Sequence, residues 1–153
     1  MNSLIGTYEC KVDSKGRLPI PAGLKKQLAE CVEDGFVIKR SIFQQCLEIH
    51  PMKNWENIMN DLNKLNRFVK KNADFIRVYT AGVKVVEIDT NGRLQISKDL
   101  VNFAKIEKEV VLSSSVNMIE VWDKDLYESV INVDDEDFAA LAESIMGNLN
   151  EDE

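Results

Sequence analysis

Short apolar segments separated by polar turns run along most of the chain and predict strands. Residues 6–12 and 83–88 are rich in β-forming side chains, and each segment ends at a polar turn. Four further apolar segments also predict short strands: 36–40, 47–50, 110–114 and 119–122. After residue 51 the spacing becomes helical, with one apolar stripe made by Trp55, Ile58, Met59, Leu62 and Leu65.

The same helical spacing predicts further helices along the chain. Phe68, Phe75, Ile76 and Tyr79 indicate a second helix after that stripe. Pro21 at a first helical position and Ser97 as an N-cap indicate two short helices. Residues 134–149 predict a last, acidic helix, whose apolar face carries Phe138, Leu141, Ile145 and Leu149. The final residues, 150–153, are expected to fray.

The chain repeats itself with an offset of 76 residues. Residues 6–24 then lie over residues 82–100, and seven of the nineteen aligned positions are identical, where chance gives about one. The identical pairs are Gly6/Gly82, Asp13/Asp89, Gly16/Gly92, Arg17/Arg93, Leu18/Leu94, Ile20/Ile96 and Leu24/Leu100. Each half therefore predicts a strand, a tight turn, a strand, a short helix, two more strands and a helix.

This duplication predicts an α+β fold in which two β-rich copies share one core. A lone hairpin is marginal in water, so the copies are expected to pair around a pseudo-twofold axis. We expect one composite domain over residues 1–153. Its parts are a first copy (4–55), a helical insert (56–80), a second copy (81–128) and an acidic C-terminal helix and tail (129–153).

Each copy carries an Asp-x-x-Gly-Arg sequence between its first two strands. We call these segments loop one (13–17) and loop two (89–93). The aspartate can accept hydrogen bonds from backbone amides two or three residues on, and glycine supplies a positive φ at little cost. The residues expected to build the two turns are Asp13, Gly16, Asp89 and Gly92.

Arg17 and Arg93 follow these turns and are the candidate binding residues. A guanidinium can make bidentate contacts with phosphate or with the O6 and N7 atoms of guanine. The structural alternative is an arginine that only pairs with a nearby carboxylate. Loop one also holds Lys15, with Lys11 shortly before it, whereas loop two has Asn91, which could contact an adenine edge. We therefore expect copy one to dominate any contact with nucleic acid.

The distribution of charge along the chain is compatible with nucleic-acid binding by copy one. The net charge of −7 argues against nucleic-acid binding only if it is spread evenly. Residues 1–40 hold seven basic and five acidic side chains, and residues 41–122 hold eleven and ten. Residues 123–153 hold one lysine and eleven acids, so the acidity belongs to the C-terminal end.

No catalytic or metal-binding set emerges from the sequence, so we do not expect an enzyme or a cofactor. His50 is the only histidine, and its place at a strand end favours packing or surface exposure. The three cysteines, Cys10, Cys31 and Cys46, form no CxxC pair, which is typical of a protein of the reducing cytosol. No signal peptide or membrane helix is predicted, so a cytoplasmic location is expected.

Two segments, VDSKGRLPIP and IDTNGRLQIS, are each followed by a short helix and a strand pair. They resemble the MraZ family of bacterial transcriptional regulators, within the AbrB-like class of swapped-hairpin folds. The LEIHP-x-x-x-W and IEVWD-x-x-x-Y segments and the helical insert extend the resemblance over about residues 4–130.

The resemblance implies an intrachain pseudo-dimer of two AbrB-like repeats, a swapped-hairpin barrel with short helices. It implies a ring-shaped, octamer-like homo-oligomer whose loops contact short direct repeats in double-stranded DNA at the nucleoid. The implied target is the promoter of the protein's own division and cell-wall gene cluster, and the implied outcome is repression. By motif match, DNA contact is carried over to Arg17 and Arg93, followed by Lys15, Asn91 and Lys11.

The sequence departs from the family pattern after loop two and at the C-terminal end. Ser97 stands where the motif usually has proline, and Gln95 precedes Ile96, but both follow the loop. The acidic segment after Asp134 is expected to lie outside the shared pattern. AbrB-like folds also serve as antitoxins that wrap a toxin with a disordered tail. A short, helix-patterned tail and two repeats in one chain favour the regulator.

Overall fold

The computed structural model describes residues 3–151, and side chains up to residue 149. The strands are β1 (Thr7–Lys11), β2 (Arg17–Pro19), β3 (Phe36–Arg40), β4 (Leu47–Pro51), β5 (Lys84–Val86), β6 (Arg93–Gln95), β7 (Glu109–Ser115) and β8 (Met118–Asp123). The helices are α1 (Ala22–Gln27), α2 (Met52–Asn63), α3 (Lys70–Tyr79), α4 (Lys98–Phe103), α5 (Lys124–Ile131) and α6 (Asp135–Glu151). The predicted order of elements is therefore present in both copies, with α3 between them.

The strands form a six-stranded antiparallel sheet in the order β1-β7-β8-β4-β3-β5 and a two-stranded ribbon of β2 and β6. The first strand of each copy pairs with a strand of the other copy. In these pairs Tyr8 of β1 lies opposite Leu112 of β7, and Val85 of β5 lies opposite Val37 of β3. This exchange confirms the predicted α+β fold of two interlocked repeats.

Two central strand pairs define the pseudo-twofold axis. In the ribbon Leu18 lies opposite Leu94, and in the sheet Glu48 of β4 lies opposite Glu120 of β8. Each of these residues faces its own counterpart in the other copy, which is the register that a twofold axis between antiparallel strands requires. Leu18 and Leu94 are at most 1% exposed. Full burial of such a side chain stabilises the fold by about 1.5–3 kcal/mol, so neither copy keeps its core alone.

The short helices begin close to their predicted positions. Pro21 is the N-cap of α1 and not its first helical residue, because its extended ψ of 144° places it outside the helix. Ser97 is the N-cap of α4 as predicted, although its side chain makes no capping hydrogen bond. The predicted stripe through Leu65 is too long, since α2 ends at Asn63. Phe68 likewise precedes α3 and is fully exposed.

The predicted acidic helix is α6, which starts at Asp135 and continues to Glu151. Two of the four residues expected to fray, 150 and 151, are helical, and residues 152–153 lie outside the described residues. The apolar face of α6 is uncovered within the described residues, since each of its four members is more than half exposed: Phe138, Leu141, Ile145 and Leu149.

Two features are absent from the described residues, a membrane-spanning helix and a metal-binding cluster. No helix within residues 3–151 is long and apolar enough to cross a bilayer. No group of three or more His, Cys, Asp or Glu side chains in that range is arranged to hold a metal ion.

Candidate nucleic-acid interface

Loop one is closed by hydrogen bonds to Asp13. Its Oδ1 accepts from the backbone N–H groups of Lys15 and Arg17, each at 2.9 Å. The Gly16 N–H donates to the Asp13 carbonyl at 3.0 Å, and the φ of Gly16 is +79°. Residues with a side chain rarely adopt that φ. A Cβ on Gly16 would also lie 2.5 Å from the Ile96 carbonyl oxygen.

Loop two repeats this backbone arrangement. Asp89 Oδ1 accepts from the N–H groups of Asn91 at 2.8 Å and Arg93 at 2.9 Å. The Gly92 N–H donates to the Asp89 carbonyl at 2.9 Å, and the φ of Gly92 is +77°. The two copies have therefore kept one loop geometry, although their middle residues differ.

The backbone bonds also hold both aspartates in their charged form. The backbone N–H of Arg17 lowers the pKa of the Asp13 carboxyl below its usual value, helped by the Arg17 side chain. The backbone N–H of Arg93 does the same for the pKa of Asp89. Both loops thus carry a carboxylate at neutral pH, beside the arginine of the same loop.

The two arginines differ in how closely that carboxylate holds them. In loop one, Arg17 Nε donates to Asp13 Oδ2 at 2.6 Å, which leaves the two terminal guanidinium nitrogens for a partner. In loop two, Arg93 Nε is 3.9 Å from Asp89 Oδ2 and makes no hydrogen bond within the described residues. The side chain of Arg17 is 35% exposed and that of Arg93 is 30% exposed.

The β2–β6 ribbon brings both arginines to one surface. Because side chains alternate across a strand, the buried pair Leu18 and Leu94 places the flanking residues on the opposite, outer face. Arg17 lies opposite Gln95, and Arg93 lies opposite Pro19. The arginines are therefore diagonal neighbours, whose Cα atoms lie roughly 7–8 Å apart in such a pair.

Backbone bonds across the axis fix the two loops relative to each other. The Ile20 N–H donates to the Gly92 carbonyl at 2.9 Å, and the Ile96 N–H donates to the Gly16 carbonyl at 2.8 Å. Each loop is thus bonded at its glycine to the other copy. Any ligand of this ribbon meets two loops at a constant spacing.

Two residues at this surface carry roles that sequence reasoning missed. The Gln95 side-chain amide of copy two donates to the Lys15 carbonyl of loop one at 2.5 Å. Lys25 of α1 lies beside loop two, because a Cβ built on Gly92 would be 3.2 Å from its Nζ. Both contacts cross between the copies, and no signal within either copy indicates them.

Two other cations of the first forty residues, Lys11 and Lys39, lie close to acidic side chains. Lys11 lines a small groove together with two lysines and four acids: Lys108, Lys124, Glu107, Glu109, Asp123 and Asp125. Lys39, counted among the basic residues of the first forty, is fully buried and lies 3.7 Å from Glu48. Burial lowers the pKa of Lys39, partly offset by the Glu48 charge. Lys39 is therefore a core residue and not part of the surface.

His50, the lone histidine, lies in the same buried cluster. It is 4% exposed, and its Nε2 is 3.0 Å from Glu48 Oε1. Its ring also packs against Trp55, with centroids 5.8 Å apart. This is a packing position, one of the two alternatives expected for this residue.

The geometry defines a class of protein: a duplicated swapped-hairpin fold that presents paired Asp-x-x-Gly-Arg loops on a two-stranded ribbon. A family model described as "MraZ protein, putative antitoxin-like" matches residues 4–78 and 80–148. The chain therefore belongs to the MraZ family, as the resemblance predicted.

Three relatives of the chain carry the same name, "Transcriptional regulator MraZ". The relative from Flavobacterium psychrophilum is 63% identical over 153 residues, covering 100% of this chain and 98% of its own length. That from Christiangramia forsetii is 64% identical over 148 residues, covering 97% and 96%. That from Cytophaga hutchinsonii is 34% identical over 146 residues, covering 95% and 96%. The chain is accordingly a transcriptional regulator of a family that is not enzymatic.

These matches also correct one expectation. The segment after Asp134 was expected to lie outside the family pattern, but the family match continues to residue 148. Helix α6 is therefore part of the family's architecture in this chain and not an appended tail.

Proposed function

We propose that this chain binds short direct repeats in double-stranded DNA as a ring-shaped, octamer-like homo-oligomer. We further propose that it represses the promoter of its own division and cell-wall gene cluster, in the cytoplasm at the nucleoid. The observation that carries the proposal is the β2–β6 ribbon, which presents Arg17 and Arg93 on its outer face.

The dimensions of the ribbon suit the major groove of DNA. That groove is about 12 Å wide and admits a two-stranded β-ribbon. Asp13 occupies the Nε of Arg17, so the terminal nitrogens can point outward as a fork that matches O6 and N7 of guanine. A side chain already held in one orientation loses less entropy on binding. Arg17 is therefore the proposed principal base contact.

The surrounding side chains complete the proposed contact surface. Lys15 adds a cation in loop one, while Asn91 in loop two could donate to and accept from an adenine edge. Lys25 supplies loop two with the charge that Asn91 lacks. Lys11, which shares its groove with two lysines and four acids, would add a peripheral phosphate contact at most.

Assembly into a ring explains how small loops could bind at cellular salt. One ribbon neutralises roughly two to four phosphates, which gives weak and salt-sensitive binding. Several ribbons on one rigid assembly gain affinity from effective concentration without any new contact. Such binding depends on the spacing of the repeats, because a ribbon out of phase with its repeat contributes nothing.

A second candidate follows from the words "antitoxin-like" in the family description. In that function the protein would hold a toxin and regulate its own operon. The relatives are named as transcriptional regulators, which favours regulation as the main function. A toxin-type gene next to this one would support the antitoxin, and division or cell-wall genes would support the regulator.

The test is a mobility-shift titration with the DNA upstream of this protein's own gene. We expect Arg17→Ala to lose the shift and the control Lys53→Ala, which removes an exposed cation at the start of α2, to keep it. Inserting about half a helical turn, roughly 5 base pairs, between repeats should also weaken binding. Equal shifts by wild type and Arg17→Ala would refute the proposed loop contact.

A further inference from the structure

Helix α6 carries an apolar stripe that no part of the described structure covers. Its members recur at spacings of three and four residues and are 52–59% exposed: Phe138, Leu141, Ile145 and Leu149. Such a stripe is typical of a helix that packs against another surface. Four large apolar side chains on one face are more than the isolated exposed residues normal for a protein surface.

A second open apolar surface lies on the helical insert. Helices α2 and α3 border an open groove of about 350 Å³, with Met59, Leu62 and Ile76 as its apolar lining and Asn60, Asn63 and Arg67 as its polar lining. Phe68, next to that arginine, is 101% exposed. A groove between two helices that combines apolar and polar lining is a common receptor for an amphipathic helix.

The two surfaces carry opposite charge. Residues 134–149, which include most of α6, hold five acids and no lysine or arginine. Residues 64–77, which contribute Arg67 and Ile76 to the groove lining, hold five lysines or arginines and a single acid. Complementary charge favours encounter of two such surfaces and suppresses contacts between like surfaces.

Within one chain, the two surfaces belong to different halves of the sheet. Helix α2 packs on β3 and β4, whereas α5 packs on β7 and β8, and α6 follows α5 after residues 132–134. The exposure of both apolar surfaces shows that α6 does not cover its own insert. An occupant of suitable charge and shape is therefore a second copy of the same chain.

We propose that α6 of one protomer docks in the α2–α3 groove of a neighbouring protomer, with its acidic first turn toward the basic end of that groove. The contact is head-to-tail, since two different surfaces meet, and a head-to-tail contact that closes forms a ring. This inference rests on the self-assembly included in the proposed function, and it names the surfaces that produce that assembly.

The first test introduces charge into the apolar stripe. Leu141→Glu with Ile145→Glu should raise the concentration needed for half-assembly at least about tenfold, because two buried contacts are lost. The matched control is Ala140→Glu with Gly147→Glu, which adds the same charge to the opposite face. Position 147 has open space around it, since a Cβ there meets no atom within 4 Å. The mass of each assembly is measured by light scattering.

The second test exchanges charge between chains. One variant reverses the insert (Arg67→Glu with Lys71→Glu), and the other reverses the helix (Asp135→Lys with Asp137→Lys). Each variant alone should form smaller assemblies, because like charges then meet at the contact. Mixing the two should restore the wild-type mass, since opposite charges again meet at every junction of an alternating ring: an acidic helix in a basic groove at one junction and a basic helix in an acidic groove at the next.

The outcomes separate this inference from the proposed function. Docking of α6 within its own chain predicts that mixing restores nothing, and that result would overturn the inference if circular dichroism shows α6 still folded. An unchanged mass for Leu141→Glu with Ile145→Glu would also overturn it, whether or not α6 binds some other protein. If the wild type itself is a monomer at micromolar concentration, the proposed ring is wrong as well.

Discussion

Loop one and loop two have the same backbone hydrogen bonds but different side-chain surroundings. The Nε of Arg17 is 2.6 Å from its aspartate, whereas that of Arg93 is 3.9 Å from its own. Gln95 donates to a carbonyl of loop one, and its counterpart beside loop two is Pro19, which has no such donor. Lys25 lies over loop two, while its aligned residue near loop one, Val101, is apolar.

This comparison shows that each loop is completed by the other copy. Loop one has its own cation and receives a hydrogen bond from copy two, and loop two receives its cation from copy one. A duplicated gene keeps the backbone symmetric because both copies share one core. Side chains that cross the axis are free to differ, so the two loops present different side chains to a ligand.

The largest expected difference concerns the two arginines. Arg17→Ala should weaken DNA binding more than Arg93→Ala, because Arg17 is already oriented by its aspartate. Loss of one bidentate base contact costs about 1–3 kcal/mol. The same loss recurs in every bound protomer, so we expect the Kd for Arg17→Ala to rise more than about a hundredfold. Fluorescence anisotropy on a fixed operator would measure both variants.

A larger loss of DNA affinity for Arg93→Ala than for Arg17→Ala would contradict this order. Loop two would then supply the principal base contact. Thermal unfolding serves as the control, since both arginines are partly exposed and neither substitution should change the Tm by more than a few degrees.

The second difference concerns the loop glycines and is a matter of stability. Alanine at either position pays about 1–2 kcal/mol for a left-handed backbone. Gly16→Ala should cost about 3 kcal/mol or more in total, because its Cβ would also press on the Ile96 carbonyl at 2.5 Å. Gly92→Ala meets only the flexible end of Lys25. Urea unfolding should therefore separate the two variants by more than about 1 kcal/mol, and equal losses would contradict the asymmetry.

Much of this arrangement could be predicted from the sequence. The features that could not be predicted all have one physical cause. The offset of 76 residues predicted both loops and the order of elements in each copy, since these depend on neighbouring residues. The β2–β6 register, the Lys25 contact and the Gln95 contact depend on how the copies pair in space. The burial of Lys39 has the same origin, because β3 is interior only once β5 and β4 flank it.

The third prediction tests Lys25, the cation of copy one that lies beside loop two. Lys25→Gln should raise the Kd for DNA about threefold to tenfold and reduce the slope of log K against log salt, because fewer counterions are released. Lys26→Gln, also exposed on α1, is the matched control and should have a smaller effect. In a double-mutant cycle Lys25 should couple to Arg93 and act additively with Arg17. Coupling to Arg17 would mean that Lys25 serves loop one.

The smallest expected effect comes from transferring the hydrogen bond of loop one to loop two. Pro19→Gln places an amide where it can donate to the Asn91 carbonyl, as Gln95 does to Lys15. One such bond is worth about 0.5–1.5 kcal/mol, and the lost proline restriction removes about 0.4–1 kcal/mol, so unfolding stability should stay nearly constant. DNA affinity should nevertheless rise about twofold, because loop two is then held before it binds. Gln95→Ala should lower the affinity by a similar factor with an unchanged salt slope. If Pro19→Gln changes stability but not affinity, the hydrogen bond is structural, and the difference between the loops lies in their charges alone.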